Sequence, residues 1–180
     1  NPKLGPARAD LFRYLYIFKN GGVYLDIKSS FKGSFVDLID SNDKFIVSSW
    51  GKTHQGWGIY RELGKIKEFQ QWFIISAPQN PILKFIIDKC LLNLCFYNPG
   101  VFGIGKTGVV RTTGPVAYTQ EMIRSEIRGW RRINSEEEGL VYSIFGDGFS
   151  EHGVAFDDHY LDLSESVVDP IKSVNREKYK

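Results

Sequence analysis

Apolar residues near the start of the chain recur at helical spacing: Leu11, Leu15 and Phe18 lie four and three residues apart. Pro6 suits a first helical turn, and Asn20, Gly21 and Gly22 form a C-terminal stop in which glycine supplies positive φ, so the pattern predicts a helix of about four turns. On this spacing Leu11, Leu15 and Phe18 form the core stripe, while Asp10, Arg13 and Ile17 fall on a neighbouring one. After the glycines the period becomes two. Val23, Leu25 and Ile27 alternate with Tyr24, Asp26 and Lys28, which predicts a strand with the first set in the core and the second on the opposite face.

Further along, residues 44–50 (KFIVSSW) read as a strand, followed by a loop through Gly51, Gly56 and Gly58 that carries His54. A second strand over residues 71–77 is stopped by Pro78, and Pro81 opens a helix from Ile82 to about Tyr97. Residues 116–130 read as another helix after Gly114 and Pro115, and residues 140–145 as a short strand. Alternating strands and helices predict an α/β fold built on a mostly parallel sheet. No internal repeat or low-complexity segment interrupts it.

Composition narrows the reading. The chain has 180 residues, 42% hydrophobic and 14% aromatic, enough for one domain, residues 1–180, with a sizeable core. A net charge of +2 with no basic stripe argues against a nucleic-acid partner. No run is long enough for a transmembrane segment. Cys90 and Cys95 are spaced for neither a zinc knuckle nor a disulfide across a helix face, so they are expected as buried thiols in a reducing compartment, which favours the cytoplasm. The Glu136–Glu138 run reads as a solvated turn.

The string from Ala7 to Ser30, ARADLFRYLYIFKNGGVYLDIKSS, closely resembles the donor-binding signature of glycosyltransferases with a DXD motif, the family that includes initiating mannosyltransferases and capsular polysaccharide sugar transferases. Asp10, Arg13, Tyr14, Gly21, Gly22, Tyr24 and Asp26 carry the match. The resemblance implies a GT-A-like, Rossmann-type domain that moves a sugar from a UDP- or GDP-linked donor to a glycan or other hydroxyl acceptor, with retention. It implies that Asp10 and Arg13 hold donor sugar hydroxyls, that Asp26 meets the ribose or the metal shell, and that Gly22 and Tyr24 border the nucleotide. Members of that family place a strand before the helix with which this sequence nearly opens, so the domain is expected to lack that strand.

Lys28 departs from the signature, for it stands where a second aspartate would ligate the metal. Mn²⁺ or Mg²⁺ takes oxygen ligands, and an ammonium offers only donors and a like charge. Two readings of an active site remain. Lys28 itself neutralises the leaving diphosphate, or a metal stays on Asp26 with a ligand from elsewhere. The segment Phe156–Tyr160, which holds Asp157 and His159, weakly resembles the C-terminal His-rich segment of these transferases, so His159 is the candidate second ligand. Thr113, in Thr112-Thr113-Gly114-Pro115, resembles the Thr-Gly-Pro segment that lines the family's cleft.

One motif competes. Residues 100–107, GVFGIGKT, satisfy the phosphate-loop pattern G-x-x-x-x-G-K-[ST], which needs a strand before the loop and a helix after it. The preceding segment reads as helical and the following one, rich in β-branched residues and closed by Gly114-Pro115, does not predict a helix, so the context fails on both sides. Gly103, Gly105 and Lys106 are instead expected in a mobile acceptor-side loop. A transferase therefore leads, ahead of a nucleotide-sugar-binding module without turnover and a P-loop nucleotide hydrolase.

Overall fold

The computed structural model describes residues 5–127, 129–145 and 164–169. Helix α1 (Gly5–Asn20) leads into β1 (Gly22–Leu25), then β2 (Ser30–Phe31), α2 (Phe35–Leu38) and β3 (Phe45–Val47). A 3₁₀ turn at Arg61–Leu63 precedes β4 (Phe73–Ser76). Helices α3 (Pro81–Cys95), α4 (Pro99–Phe102), α5 (Gly105–Thr112) and α6 (Pro115–Arg124) follow, and then β5 (Arg131–Arg132) and β6 (Leu140–Val141). No helix among the described residues is long and apolar enough to cross a membrane.

The main sheet has the order β1-β4-β3-β5, and β2 pairs with β6 in a separate ribbon. The expectation of a mostly parallel sheet is not met: β4 runs antiparallel to both β1 and β3, and β3–β5 is the parallel pair. The reason is the connection from β3 to β4, which carries no α-helix that could form a right-handed crossover and so returns β4 against β3. The outcome is a mixed sheet flanked by helices.

Strand alternation feeds two cores. Phe45, Val47 and Ile74 pack with Tyr14 and Ile17 of α1, the inner face of α3, and Tyr118 and Met122 of α6. Ile46, Phe73 and Ile75 face the other way, toward Leu38, Trp50, Trp72 and Leu140. Asn80 caps α3 by accepting from the Ile82 amide (2.9 Å), with Pro81 in the first turn, as the sequence predicts.

Two local expectations fail. Helix α1 turns Asp10, Arg13, Tyr14 and Ile17 inward, while Leu15 of the expected core stripe is 49% exposed and Leu11 and Phe18 are only partly buried. Ile27, expected in the core, is 90% exposed, because the regular strand ends at Leu25 and a turn follows in which Ser29 N–H donates to Asp26 O (2.8 Å). Cys90 is buried as expected, but Cys95 at the end of α3 is exposed.

Gly21 sits at φ +66°, its N–H closing α1 on Ile17 O (2.8 Å). A Cβ there would stand 2.6 Å from Pro78 Cδ and 2.7 Å from Pro78 N, so a side chain is excluded by space as well as by backbone conformation.

Candidate active site

Pairing β1 antiparallel to β4 brings the residue after one strand beside the residue before the other: Asp26 N–H donates to Trp72 O (2.8 Å). The C-terminal ends of β1, β3 and β5 and the N-terminal end of β4 share one edge of the sheet. Helix α1 lays its charged stripe against that edge. Arg13 reaches Asp10 (Nη2–Oδ1 3.5 Å) and Asp26 (Nη1–Oδ1 3.3 Å), and donates from Nη1 to Gln71 O (2.8 Å). The guanidinium also lies 5.0 Å from the centre of the Tyr24 ring, whose hydroxyl donates to Asp26 Oδ1 (3.0 Å). Asp10, Arg13, Tyr24 and Asp26, proposed from the sequence as separate contacts, form one connected ladder.

The ladder is sealed from behind. Thr113 Oγ1 donates to Asp10 Oδ2 (2.8 Å), and Gln71 Nε2 donates to Asp10 Oδ1 (3.3 Å). The single Tyr14 hydroxyl proton lies between Gln71 Oε1 and Thr113 O, the latter at 2.9 Å. Thr113 is fully buried at the α5–α6 junction, so its hydroxyl acts on Asp10 and reaches the cleft only through it. Gln71 carries no sequence signal, since it sits in a polar pair at the head of a predicted strand. Tyr14 is part of the motif match, yet its role shows only in space.

Burial raises the Asp10 carboxyl from its ordinary value to about 6, with Arg13 and the Thr113 hydroxyl opposing. Burial also works against the charge on Arg13, but Asp10 and Asp26 together overcome it and hold the guanidinium protonated well above its usual range. The Tyr24 phenol is pushed up to about 12, first by burial. Asp26 keeps 23% of its side chain exposed, so it is the carboxylate of the ladder that a solute can reach.

Lys28 stands on the rim. Its Nζ donates to Tyr142 Oη (2.6 Å) and lies 4.0 Å from that ring's centre; partial burial lowers its pKa, opposed by Asp26. Tyr142 belongs to an aromatic ridge: it packs edge-on to Trp50 (5.1 Å between centres) and Trp57 (5.7 Å), and Trp72 lies 5.7 Å away. His54 and Trp57, in the glycine-rich loop, join the ridge against Trp50 at 5.0 Å each. That loop is moored by Glu136, which accepts from Thr53 Oγ1 (2.9 Å) and from His54 Nδ1 (3.0 Å), fixing the imidazole proton on Nδ1. Partial burial opposes the charge, but these hydrogen bonds hold the Glu136 carboxyl below its ordinary value. Residues 136–138 form the expected turn with Glu137 and Glu138 exposed, but Glu136 is a tether rather than a solvated member of it.

The residues described around Asp26 do not fit a divalent cation. Its Oδ1 already meets Arg13 and the Tyr24 hydroxyl, Lys28 presents an ammonium beside it, and no group of three His, Cys, Asp or Glu converges among the described residues. His159 and Asp157 lie outside the described residues. Gly22, the first residue of β1, is exposed at φ +97°.

The phosphate-loop motif meets helices on both sides. The expectation that no helix follows it is overturned by α5, which begins at Gly105, but α3 and α4 stand where a strand is required. The Gly105 N–H, which a phosphate would need, donates instead to Glu165 O (2.9 Å). Where a mobile acceptor-side loop is expected, Gly103 and Gly105 form a tight turn between α4 and α5, with Gly103 O accepting from Tyr97 Oη (2.6 Å).

Residues 2–46 match the sequence family described as a glycosyltransferase sugar-binding region containing a DXD motif. The ladder's Asp10, Arg13, Tyr24 and Asp26 all fall inside that match. The site is similar to a glycosyltransferase sugar-binding region. No curated protein matches the chain. Among solved structures, one titled PaToxG Glycosyltransferase shares 19% identity, with 67% of this chain and 35% of that chain covered and a TM-score of 0.45. The chain thus spans about a third of that protein's length.

Proposed function

We propose that this domain transfers a sugar from a nucleotide-sugar donor to a hydroxyl acceptor, with retention, at the edge of the sheet beside Asp26. The observation that carries the reading is the Asp10–Arg13–Asp26 ladder, because one buried guanidinium joins a buried carboxylate to a partly exposed one inside the segment that matches a sugar-binding family. Asp26 receives donor hydroxyls of ribose or sugar. Asp10 and Arg13 fix its position from below, and Tyr24 borders the nucleotide. Lys28, an ammonium partly withdrawn from water, stabilises the negative charge that grows on the departing diphosphate. The acceptor hydroxyl attacks as the sugar–phosphate bond breaks, and its proton leaves on a departing phosphate oxygen. Substrate positioning and charge stabilisation account for the rate.

Lys28 also favours a second reading, a donor-binding module without turnover, since the carboxylate that completes the family motif is absent. Calorimetric titration of UDP- and GDP-sugars into the wild type and Asp26→Ala, with Mn²⁺ and then with chelator, tests the site. Binding that survives chelation and is lost in Asp26→Ala is expected. Equal binding by the variant would overturn the donor site. Measured release of free sugar or its transfer would remove the second reading.

A further inference from the structure

Beyond the aromatic ridge the same sheet edge carries a hollow of about 320 Å³ lined by Lys65, Ile66, Lys67, Phe69 and Arg132. Its chemistry is lopsided. Three of five lining residues are cations, and among the described residues none of them is ion-paired. Arg132 is aimed before any ligand arrives: Nη2 donates to Ser49 Oγ (3.0 Å), and the guanidinium lies 5.8 Å from the centre of the Phe69 ring. Phe69 is itself fixed, because its N–H donates to Thr119 Oγ1 (2.8 Å) and its ring packs edge-on to Trp130 at 5.6 Å. Lys67 Nζ reaches back to Trp50 O (3.4 Å). The adjacent carboxylate, Glu68, points away into the core and accepts from Trp50 Nε1, so it does not neutralise the hollow.

The hollow is one aromatic layer from Lys28. Lys28 lies on Tyr142, Tyr142 packs on Trp50, and the Trp50 carbonyl meets Lys67. Along the chain, Phe69 precedes Trp72, the backbone partner of Asp26, by a distance of at most about 11 Å. A molecule with its reacting hydroxyl near Asp26 and its body across Tyr142, Trp57 and Trp50 would deliver its far end to three cations. A guanidinium fork flanked by ammonium groups suits an oxyanion, and pinning Arg132 lowers the ordering cost of binding it.

We infer that the Lys65–Lys67–Arg132 hollow binds the anionic group of the acceptor, so that the acceptor is a sugar bearing an oxyanion such as a phosphate ester or a carboxylate. The inference rests on the transferase reading for the word acceptor, but the anion site can be measured without it. Glucose 6-phosphate, glucuronate, glucose and inorganic phosphate titrated into the wild type should give at least tenfold tighter binding of one or both anionic sugars than of glucose, weakening with salt. Glucose 6-phosphate preferred over glucuronate assigns a phosphate ester, and the reverse a uronic acid. Lys67→Gln/Arg132→Gln should lose that preference tenfold, about 1.4 kcal/mol. Lys65→Gln/Lys67→Gln, which leaves Arg132 and its sheet contact intact, should lose at least half of it on a logarithmic scale. Asp26→Ala should bind anionic sugars as the wild type does while losing the nucleotide sugar, which separates failure of this site from failure of the donor site. Binding of glucose as tight as its anionic forms, inorganic phosphate as tight as the anionic sugars, or loss of the preference in Asp26→Ala would overturn the inference.

Discussion

Arg13 and Lys28 are cations within one motif-bearing segment, and the fold holds them in opposite ways. Arg13 is buried and committed: two carboxylates, two carbonyls and one aromatic face surround it. Lys28 is half-buried at the rim and rests on Tyr142, from a different part of the chain. The contrast separates a cation fixed within the core from one held at the rim. The floor of the site, Asp10 and Arg13, lies inside the segment that matches a sugar-binding family, and its charges cannot move without breaking the core. Lys28 sits on the rim, where a change of side chain leaves the core intact.

The contrast breaks most sharply at Arg13. Arg13→Met leaves Asp10 buried without its counter-charge, so urea denaturation should show a loss of about 3–5 kcal/mol. A loss below about 1 kcal/mol would mean that the floor is not the rigid half of the pair. A smaller effect reads the floor through pH. Asp10, with its carboxyl raised to about 6, binds its proton more tightly folded than unfolded. The stability this contributes is fully present below the ordinary value near 3.8 and is lost as pH rises through about 6. Glu68, raised by burial to about 7, acts with the same sign, so only a difference between variants isolates Asp10. Unfolding free energies at pH 5 and 7.5 should therefore differ by roughly 1 kcal/mol more in the wild type than in Asp10→Asn. Parallel pH profiles would count against a charged, buried Asp10. The rim should respond least in stability. Tyr142→Phe keeps the ring and removes the acceptor for Lys28, changing stability by under about 1 kcal/mol while weakening nucleotide-sugar binding several-fold by calorimetry. Unchanged donor affinity would detach Lys28 from the site.

Helix α1, its glycine stop and the strand that follows were legible in the sequence because spacing and turn chemistry are local. The face that α1 buries was not. Hydrophobic periodicity assumes that the apolar stripe points inward, whereas here Asp10, Arg13 and Tyr14 go inside and satisfy one another there, displacing Leu15 to the surface. Partners such as Gln71 and Thr113, 61 and 103 residues away from Asp10, leave no local pattern. Glu136 misled for a related reason: a run of three glutamates reads as solvated, and nothing nearby shows that Thr53 and His54 fold back to meet the first. Sheet direction failed because alternating element types suggest crossovers, while the long stretch between β3 and β4 forms no α-helix.

The close approach of Gly21 to Pro78 acts at a distance from the chemistry. In a strand of only four residues, a slip of a single position would exchange the two faces and carry Tyr24 and Asp26 away from Arg13. Hydrogen bonds alone do not forbid such a slip, since a shifted ladder can re-form them. A residue with no side chain, set against a proline ring at the far end of β1, closes the slip that would bring the Cβ of Asn20 into that ring. In that direction the parity of the candidate-site face is guarded five residues upstream of Asp26, by shape rather than by charge.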